Sequence, residues 1–388
     1  WGADLEPQVR KYLSGKFARV VERMVDSYIY FTDQALCIGK QTGRVGFVIP
    51  STVLNQVDAQ PLRKILLASG LTTVINLGKD VFTKKVLNTT TLIVTAGGSQ
   101  PTQLIVGDLS SMPLEQRSAA LATLQPTESS NWISQVAGDA STTFYANSDA
   151  RTALLLKLRQ SLKTLFDYTE AGIARGISPD IASAHVLPDS APEISKIESS
   201  VLSRSISGPR IKRYFMVSPD QWLIYTHKGI LPRNIPHALA HLEQFKKQNT
   251  CKEVVEGKHP WWALHRARDP EIFRSPKFIG LTTTKTIELV FDEDKNLVVT
   301  DAMYVFRMLS GISSKAALGV LHSKLFLFLY RVSNQGESRV IPQIKAAKLE
   351  PLPFPDLSSP SSRARHDKLV ALVDKMLLLV PRLRAAKS

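Results

Sequence analysis

Cysteine is almost missing from this chain. Cys37 and Cys251 are the only two in 388 residues, too few and too far apart for a disulfide framework or a zinc site. No apolar run reaches membrane-spanning length and no signal peptide opens the chain, so a reducing, cytoplasmic setting with no membrane contact is expected. The eight histidines are scattered. His237 and His241 lie four apart on a predicted helix without a third ligand, and no metal is expected. No GxGxxG or equivalent glycine-rich turn occurs before Gly43, which removes the usual cofactor loop of an α/β sheet. Acidic residues are also short, at 34 against 49 Lys and Arg, a net charge of +15.

What is present is long enough for two domains with real cores, and 44% hydrophobic with 21% charged residues is ordinary for a globular protein. The charge is unevenly placed. Residues 1–150 carry 13 Lys and Arg against 12 Asp and Glu, whereas residues 151–388 carry 36 against 22. That division suits a neutral scaffold joined to a phosphate-facing module, with a solvated basic surface as the plain alternative. The excess is densest in KHPWWALHRARDPEIFRSPKFIGLTTTK, from Lys258 to Lys285. There six Lys and Arg, two His, two Trp and two Phe face only Asp269 and Glu271. Charge is costly to bury and Trp is costly to expose, so the stretch points to a surface meeting a flat polyanion, nucleic acid first.

The first hundred residues alternate helix and strand. A helical stretch from about Glu6 to Cys37 sets Val20, Val21, Met24, Tyr28 and Phe31 at three- and four-residue steps, with Tyr28 and Phe31 expected to pack together. GRVGFVIP, from Gly43 to Pro50, reads as a strand covered on both faces. Pro61 opens the helix PLRKILLAS, and Thr73–Leu77 and Thr91–Thr95 supply further strands. This order implies a doubly wound α/β sheet, incomplete for want of its glycine-rich opening turn.

Three blocks carry a family resemblance: WGADL at Trp1, then DSYIYF…GRVGFVIPSTVL…LRKILL, then DVFTKKVLNTTTLIV. They resemble the later motifs of gamma-type adenine-N6 DNA methyltransferases, the group of the TaqI methyltransferase and the type IIG restriction–modification enzymes. The resemblance implies that Trp1 stands at the end of the Asn-Pro-Pro-aromatic motif that touches the target adenine. It also implies that Phe82 is the aromatic meeting the flipped base from another side. Base flipping needs such aromatic surfaces. Taken alone, Phe82 is more readily a core residue of its loop, and Lys84 and Lys85 either face phosphate or are solvated.

Downstream, ARGISPDIASAHVLP, ISGPRIKRYFMVSPDQWLIYTHKGI, IPHALAHLEQFKKQ, the basic segment, TTTKTIELVFDEDKNLVVTDAMYVF, LGVLHSKLFLFLYRV and IPQIKAAKLEPLPFP follow in order. As a series they resemble the TaqI-like C-terminal specificity domain. Lys212, Arg213 and Tyr214 suit backbone phosphates. His265, Arg266 and Arg268 suit guanine edges or phosphates, with Arg266 and Arg268 on one face if their segment is extended. Thr284 and Lys285 offer a hydroxyl and a charge. Against this, one of Trp261 and Trp262 belongs to the core, Trp222 and Tyr304 are core candidates, and His265 is as readily structural. Asp269 with Glu293-Asp294-Lys295 imitates a metal-dependent nuclease, but its place between alternating runs makes a charged hairpin turn the better reading. Beyond the polar run at 358–362, Leu369, Leu372, Val373, Met376, Leu379 and Val380 form a helical stripe that packs on the recognition domain or on a partner helix.

Four segments are therefore expected. Residues 1–100 are the later half of a methyltransferase domain, 101–150 connect, 151–357 form an α+β target-recognition domain, and 358–388 are a linker and helix. The family implies S-adenosylmethionine as methyl donor for the full enzyme. Without the cofactor loop, the isolated chain is expected to bind no cofactor and to be inactive. Its expected partners are double-stranded DNA and the absent N-terminal half, as the same or a separate polypeptide. A stand-alone DNA-binding specificity subunit is the second reading, and RNA binding the third.

Overall fold

The computed structural model describes residues 5–21, 26–40, 43–54, 56–78, 81–82, 89–95, 103–110, 112–123, 132–136, 150–293, 295–334, 343–357 and 363–386. They fall into two units, one built mainly from residues 1–154 and the other mainly from residues 155–388. Among the described residues, no single helix is long and apolar enough to cross a membrane.

In the first unit α1 (Pro7–Lys16) and α2 (Ser27–Ile38) replace the single helix expected from the periodicity. The buried stripe of α2 runs through Tyr28, Ile29, Thr32 and Asp33, which turns Phe31 outward, 68% exposed. Two polar residues hide that stripe from a hydrophobic pattern. Thr32 Oγ1 donates to the Tyr28 carbonyl at 2.8 Å, and Asp33 accepts from Arg19 Nε at 2.9 Å. Met24 lies outside the described residues. β1 (Arg44–Pro50), α3 (Gln60–Ala68) and β2 (Leu71–Gly78) follow. Pro61 occupies the first turn of α3 as expected, and Leu62, Leu66 and Leu67 face the core.

β3 (Thr89–Thr95) inserts between β1 and β2 and runs antiparallel to both. β1 and β2 are therefore parallel to each other, as a strand–helix–strand unit requires. The connection from Gly78 to Thr89 is shorter than the dozen or so residues of a parallel crossover, so β3 has to return antiparallel. β1 is an edge strand, and Arg44, Gly46 and Val48 are exposed along it, so it is not covered on both faces as its apolar run suggested. The region expected to be a plain connector is structured. It supplies β4 (Gln103–Asp108), parallel to β2, then α4 (Leu114–Thr123) and β5 (Trp132–Val136), antiparallel to β4. The result is a mixed five-stranded sheet in the order β1-β3-β2-β4-β5.

The second unit takes in the end of α5 (Ala150–Ser161). This helix stops short of the predicted Glu170 because Thr164 and Asp167 close a local turn, with both the Thr164 amide and hydroxyl donating to Asp167 Oδ2. Then come β6 (Ala174–Arg175), α6 (Ala182–His185), β7 (Val186–Pro188), β8 (Leu202–Ser205), β9 (Ile211–Lys212), β10 (Phe215–Met216) and β11 (Gln221–Ile224). α7 (Pro236–Glu243), α8 (Lys252–Val255), β12 (Lys277–Leu281), β13 (Leu289–Asp292) and β14 (Met303–Phe306) come next. α9 (Ser314–Leu321), α10 (Lys324–Ser333), α11 (Ala346–Leu349) and α12 (Arg363–Ala385) complete it.

The central sheet of this unit is antiparallel, β13-β12-β14-β6, with β12 buried along its whole length. Period-two alternation splits its side chains between two cores. Phe278, Leu289, Tyr304 and Phe306 pack with Leu318, Phe326 and Phe354 on the helical side. Ile279, Val290, Met303 and Val305 pack with Leu223, Leu264 and Phe273 on the other. β13 and β14 flank β12 rather than each other, so the charged turn after Asp292 is not a hairpin between them. A second antiparallel sheet, β7-β11-β8, shares a separate core with α7, through Leu187, Ile224, Ala238, Leu242 and Trp262. α12 answers the question left by its stripe: it lies on α9, where a Cβ at Gly319 would stand 2.7 Å from Leu369 Cδ1.

Candidate nucleic-acid interface

The basic segment is held by two cores at once. Trp262 is buried with the α7 core and Leu264 with the far face of the central sheet, so the two residues fix the backbone on either side of Ala263. Trp261 is only half-buried, with Lys246 Nζ 4.7 Å from its ring centre, as expected of a Trp pair that cannot point one way. Two hydrogen bonds tie the segment to the exit of β11. Thr226 Oγ1 donates to the Trp262 carbonyl at 2.7 Å, and the Leu264 amide donates to the Thr226 carbonyl at 3.0 Å.

Beyond that anchor, Arg266 and Arg268 are exposed while Ala267 between them packs inward. The chain is not a regular strand here. Arg268 has φ +64°, a left-handed conformation that costs a non-glycine residue about 1–3 kcal/mol. Its carbonyl accepts from Tyr225 Oη at 2.7 Å, which holds the turn. Burial, and then the charge of Asp269, push the Tyr225 hydroxyl up to about 12, so it remains a donor at neutral pH. Below the turn lies a hollow of about 360 Å³ lined by Tyr225, His227, Lys228, His259, His265 and Arg268 among others. Cations and imidazoles around an open, partly apolar floor suit a phosphate or the edge and face of a base.

The six cations of the segment do not share one fate. Lys277 is completely buried against Asp292. Lys258 pairs with Glu256 at 2.6 Å and Arg274 with Glu271 at 2.8 Å. Arg266, Arg268 and Lys285 are exposed. Of the nuclease-like cluster, Asp269 accepts from the Glu271 amide at 2.9 Å and Asp294 lies outside the described residues; the neighbouring Asp292 is spent on Lys277 and on the Lys295 and Leu297 amides at 3.0 and 3.2 Å.

The other expected contacts sit elsewhere in this unit. Arg213 and Tyr214 form the two-residue tip between β9 and β10. Tyr214, at φ +60°, is half-buried and meets the His322 ring edge-on at 4.4 Å. Arg213 donates to the His322 carbonyl. Lys212 Nζ lies 3.6 Å from Glu288 Oε2, and Thr284 Oγ1 donates to Glu288 Oε1 at 3.4 Å. All four of these residues are therefore engaged inside the protein, although Arg213 of the β9–β10 group is exposed. His265 lines the hollow, as do His227 and Lys228, which sequence reasoning passed over. Their signal was a basic pair in the turn Thr-His-Lys-Gly directly after an apolar strand. In the first unit Phe82 is 47% exposed at the exit of β2. Trp1, Lys84 and Lys85 lie outside the described residues.

Residues 3–82 match the Eco57I restriction-modification methylase family, and residues 204–354 match the TaqI-like C-terminal specificity domain. The chain thus carries sequence of both. The fold is shared with solved restriction–modification enzymes. The type IIL enzyme MmeI in complex with DNA is 12% identical, with a TM-score of 0.59 over 96% of this chain and 47% of that one. A nuclease-deletion mutant of the type ISP enzyme LlaGI with a DNA substrate mimic is 11% identical, at a TM-score of 0.53 over 97% of this chain and 33% of that one. The DrdV–DNA complex is 10% identical, at a TM-score of 0.51 over 97% and 43%. The chain spans less than half the length of each of these relatives. No curated protein matches it.

Proposed function

We propose that this chain, which joins a restriction–modification methylase segment to a TaqI-like specificity domain, recognises double-stranded DNA for an adenine-N6 methyltransferase. The observation that carries the proposal is the placement of Arg266 and Arg268. They are exposed cations of the most basic segment with no acidic partner among the described residues, next to a backbone anchored in two cores and inside the region that matches a specificity domain. A clamped backbone presents Arg forks in a fixed pose, which bidentate reading of guanine or phosphate requires. The DNA-bound state of the solved relatives supports the same partner.

In this reading the first unit is part of the doubly wound methyltransferase sheet, and exposed Phe82 stands where an extrahelical adenine would meet an aromatic face. Trp1 and Lys84 are proposed beside it on the family resemblance alone. The methyl donor of the full enzyme would be S-adenosylmethionine. Among the described residues, the connection from β1 to α3, which reads STVLNQVDA, offers it no glycine-rich turn, and Ser51, Val53 and Leu54 in it are buried. Cofactor binding and methyl transfer are therefore assigned to the N-terminal half of the full enzyme, and this chain to holding DNA and the turned-out base.

The test is equilibrium binding of the purified chain to duplex DNA across a salt series, with structured RNA as competitor. Affinity for duplex should fall steeply with salt and resist RNA. Preference for RNA, or binding indifferent to salt, would overturn the proposal.

A further inference from the structure

We propose that Asp180, Cys251 and His265 form a binding site for a single zinc ion that staples the basic segment to the loop before α8. Spacing along the chain set Cys251 aside as a zinc ligand. In space it has partners. Among the described residues, the ligand atoms of Asp180, Cys251 and His265 all lie within 4.8 Å of one another.

The local backbone explains the meeting. Ser178 bridges antiparallel to Arg266, which carries Asp180 back past His265. The turn after α8 folds onto itself, with the Lys258 and His259 amides both donating to the Glu253 carbonyl, at 2.7 and 3.0 Å. That turn sets Cys251 opposite His265, with Sγ and Nδ1 3.6 Å apart. Bonds of about 2.3 Å to sulfur and 2.0–2.1 Å to nitrogen, at a tetrahedral angle, require a separation of about 3.6 Å. The pair therefore already spans one edge of a zinc tetrahedron.

The donor set is chemically apt. Thiolate, imidazole and carboxylate together select zinc over calcium or magnesium, which take oxygen. Zinc displaces the thiol proton, and Glu253 Oε2, 3.2 Å from Sγ, is placed to receive it. Water fills the fourth position. The His259 ring lies 5.3 Å from that of His265, edge-on, and His259 Nε2 is 3.1 Å from the Ala263 carbonyl, a contact that steadies the ligand's ring plane.

The site is tested without reference to DNA. The chain is stripped with chelator and titrated with cobalt(II), a spectroscopic stand-in for zinc, then with zinc in competition. One cobalt per chain is expected, with tetrahedral visible bands and a thiolate charge-transfer band. Zinc should displace it and raise the unfolding temperature. Cys251→Ser should abolish the charge-transfer band while Cys37→Ser keeps it. Asp180→Asn, at an exposed position that leaves folding intact, should weaken binding by at least about tenfold. A wild-type chain that binds neither metal, a charge-transfer band that survives Cys251→Ser, or an unchanged affinity in Asp180→Asn would each overturn the proposal.

Discussion

Lys277 Nζ lies 2.5 Å from Asp292 Oδ2 across β12 and β13, and neither side chain is exposed to any degree. Burial presses the Lys277 ammonium below its ordinary value, and the Asp292 charge pulls the other way. An ion pair of this kind holds register more surely than it adds net stability, because both charges have left water.

Breaking the pair should therefore be costly in an unequal way. Lys277→Met is expected to lower unfolding free energy by about 3–5 kcal/mol in urea titration, since it leaves a buried carboxylate unpaired. Asp292→Leu should cost more, because it also strands the Lys295 and Leu297 amides, at about 1–3 kcal/mol for each buried orphan. The double variant should recover part of the loss. A double variant whose loss equals the sum of the two single losses would show that the ion pair itself contributes little.

For DNA contact, Arg266→Ala with Arg268→Ala should reduce affinity and sequence preference and flatten the salt dependence by about two counterions. Urea unfolding should move by no more than about 0.5 kcal/mol, because both side chains are exposed. Lys212→Ala should change the salt slope less, its charge being offset by Glu288. Arg268→Gly separates strain from charge: it relieves the left-handed backbone and should hold or raise stability while weakening binding.

Gly280 faces Tyr304 in the register of β12 and β14, and a Cβ there would stand 2.2 Å from the phenol ring. Gly280→Ala should cost about 3 kcal/mol through overpacking, read as a lowered unfolding midpoint, and Gly280→Ala with Tyr304→Leu should restore part of it.

Burial, reinforced by the Arg213 charge, lowers His322 to about 3. Its Nε2 accepts from the Leu289 amide at 3.4 Å, which marks the ring as neutral. The unfolded chain takes up a proton near pH 6.5 and the folded chain does not until about pH 3, so stability falls as pH drops through that window, by up to about 1.4 kcal/mol per unit. His322→Gln should flatten urea-unfolding profiles between pH 6 and 4. An unchanged slope would remove His322 as the cause.

Much of this was legible in the sequence. The β–α–β unit, the Pro61 helix start and the divided Trp pair follow from periodicity and turn chemistry, which are local. The misses have physical reasons. Thr32 and Asp33 lie on a buried face because Arg19 and a carbonyl satisfy them, which no hydrophobic pattern records. Residues 103–136 carry no motif, yet β4 and β5 extend the sheet through backbone pairing that any side chain permits. Lys277 counts as a surface cation until Asp292 is found beside it, and Tyr214 as a phosphate contact until His322 is. His227 and Lys228 reach the hollow only because β11 ends beside the basic segment, a neighbour relation set by tertiary packing.

The double anchoring of Trp262 and Leu264 has an evolutionary consequence. Beyond that anchor the Arg266 and Arg268 side chains are exposed while Ala267 between them packs on the core, so the two arginines can be exchanged while their backbone stays in place. If the proposed DNA contact holds, such a loop is a site of low constraint on a rigid mount, where new target sequences can be sampled without first solving the folding problem again.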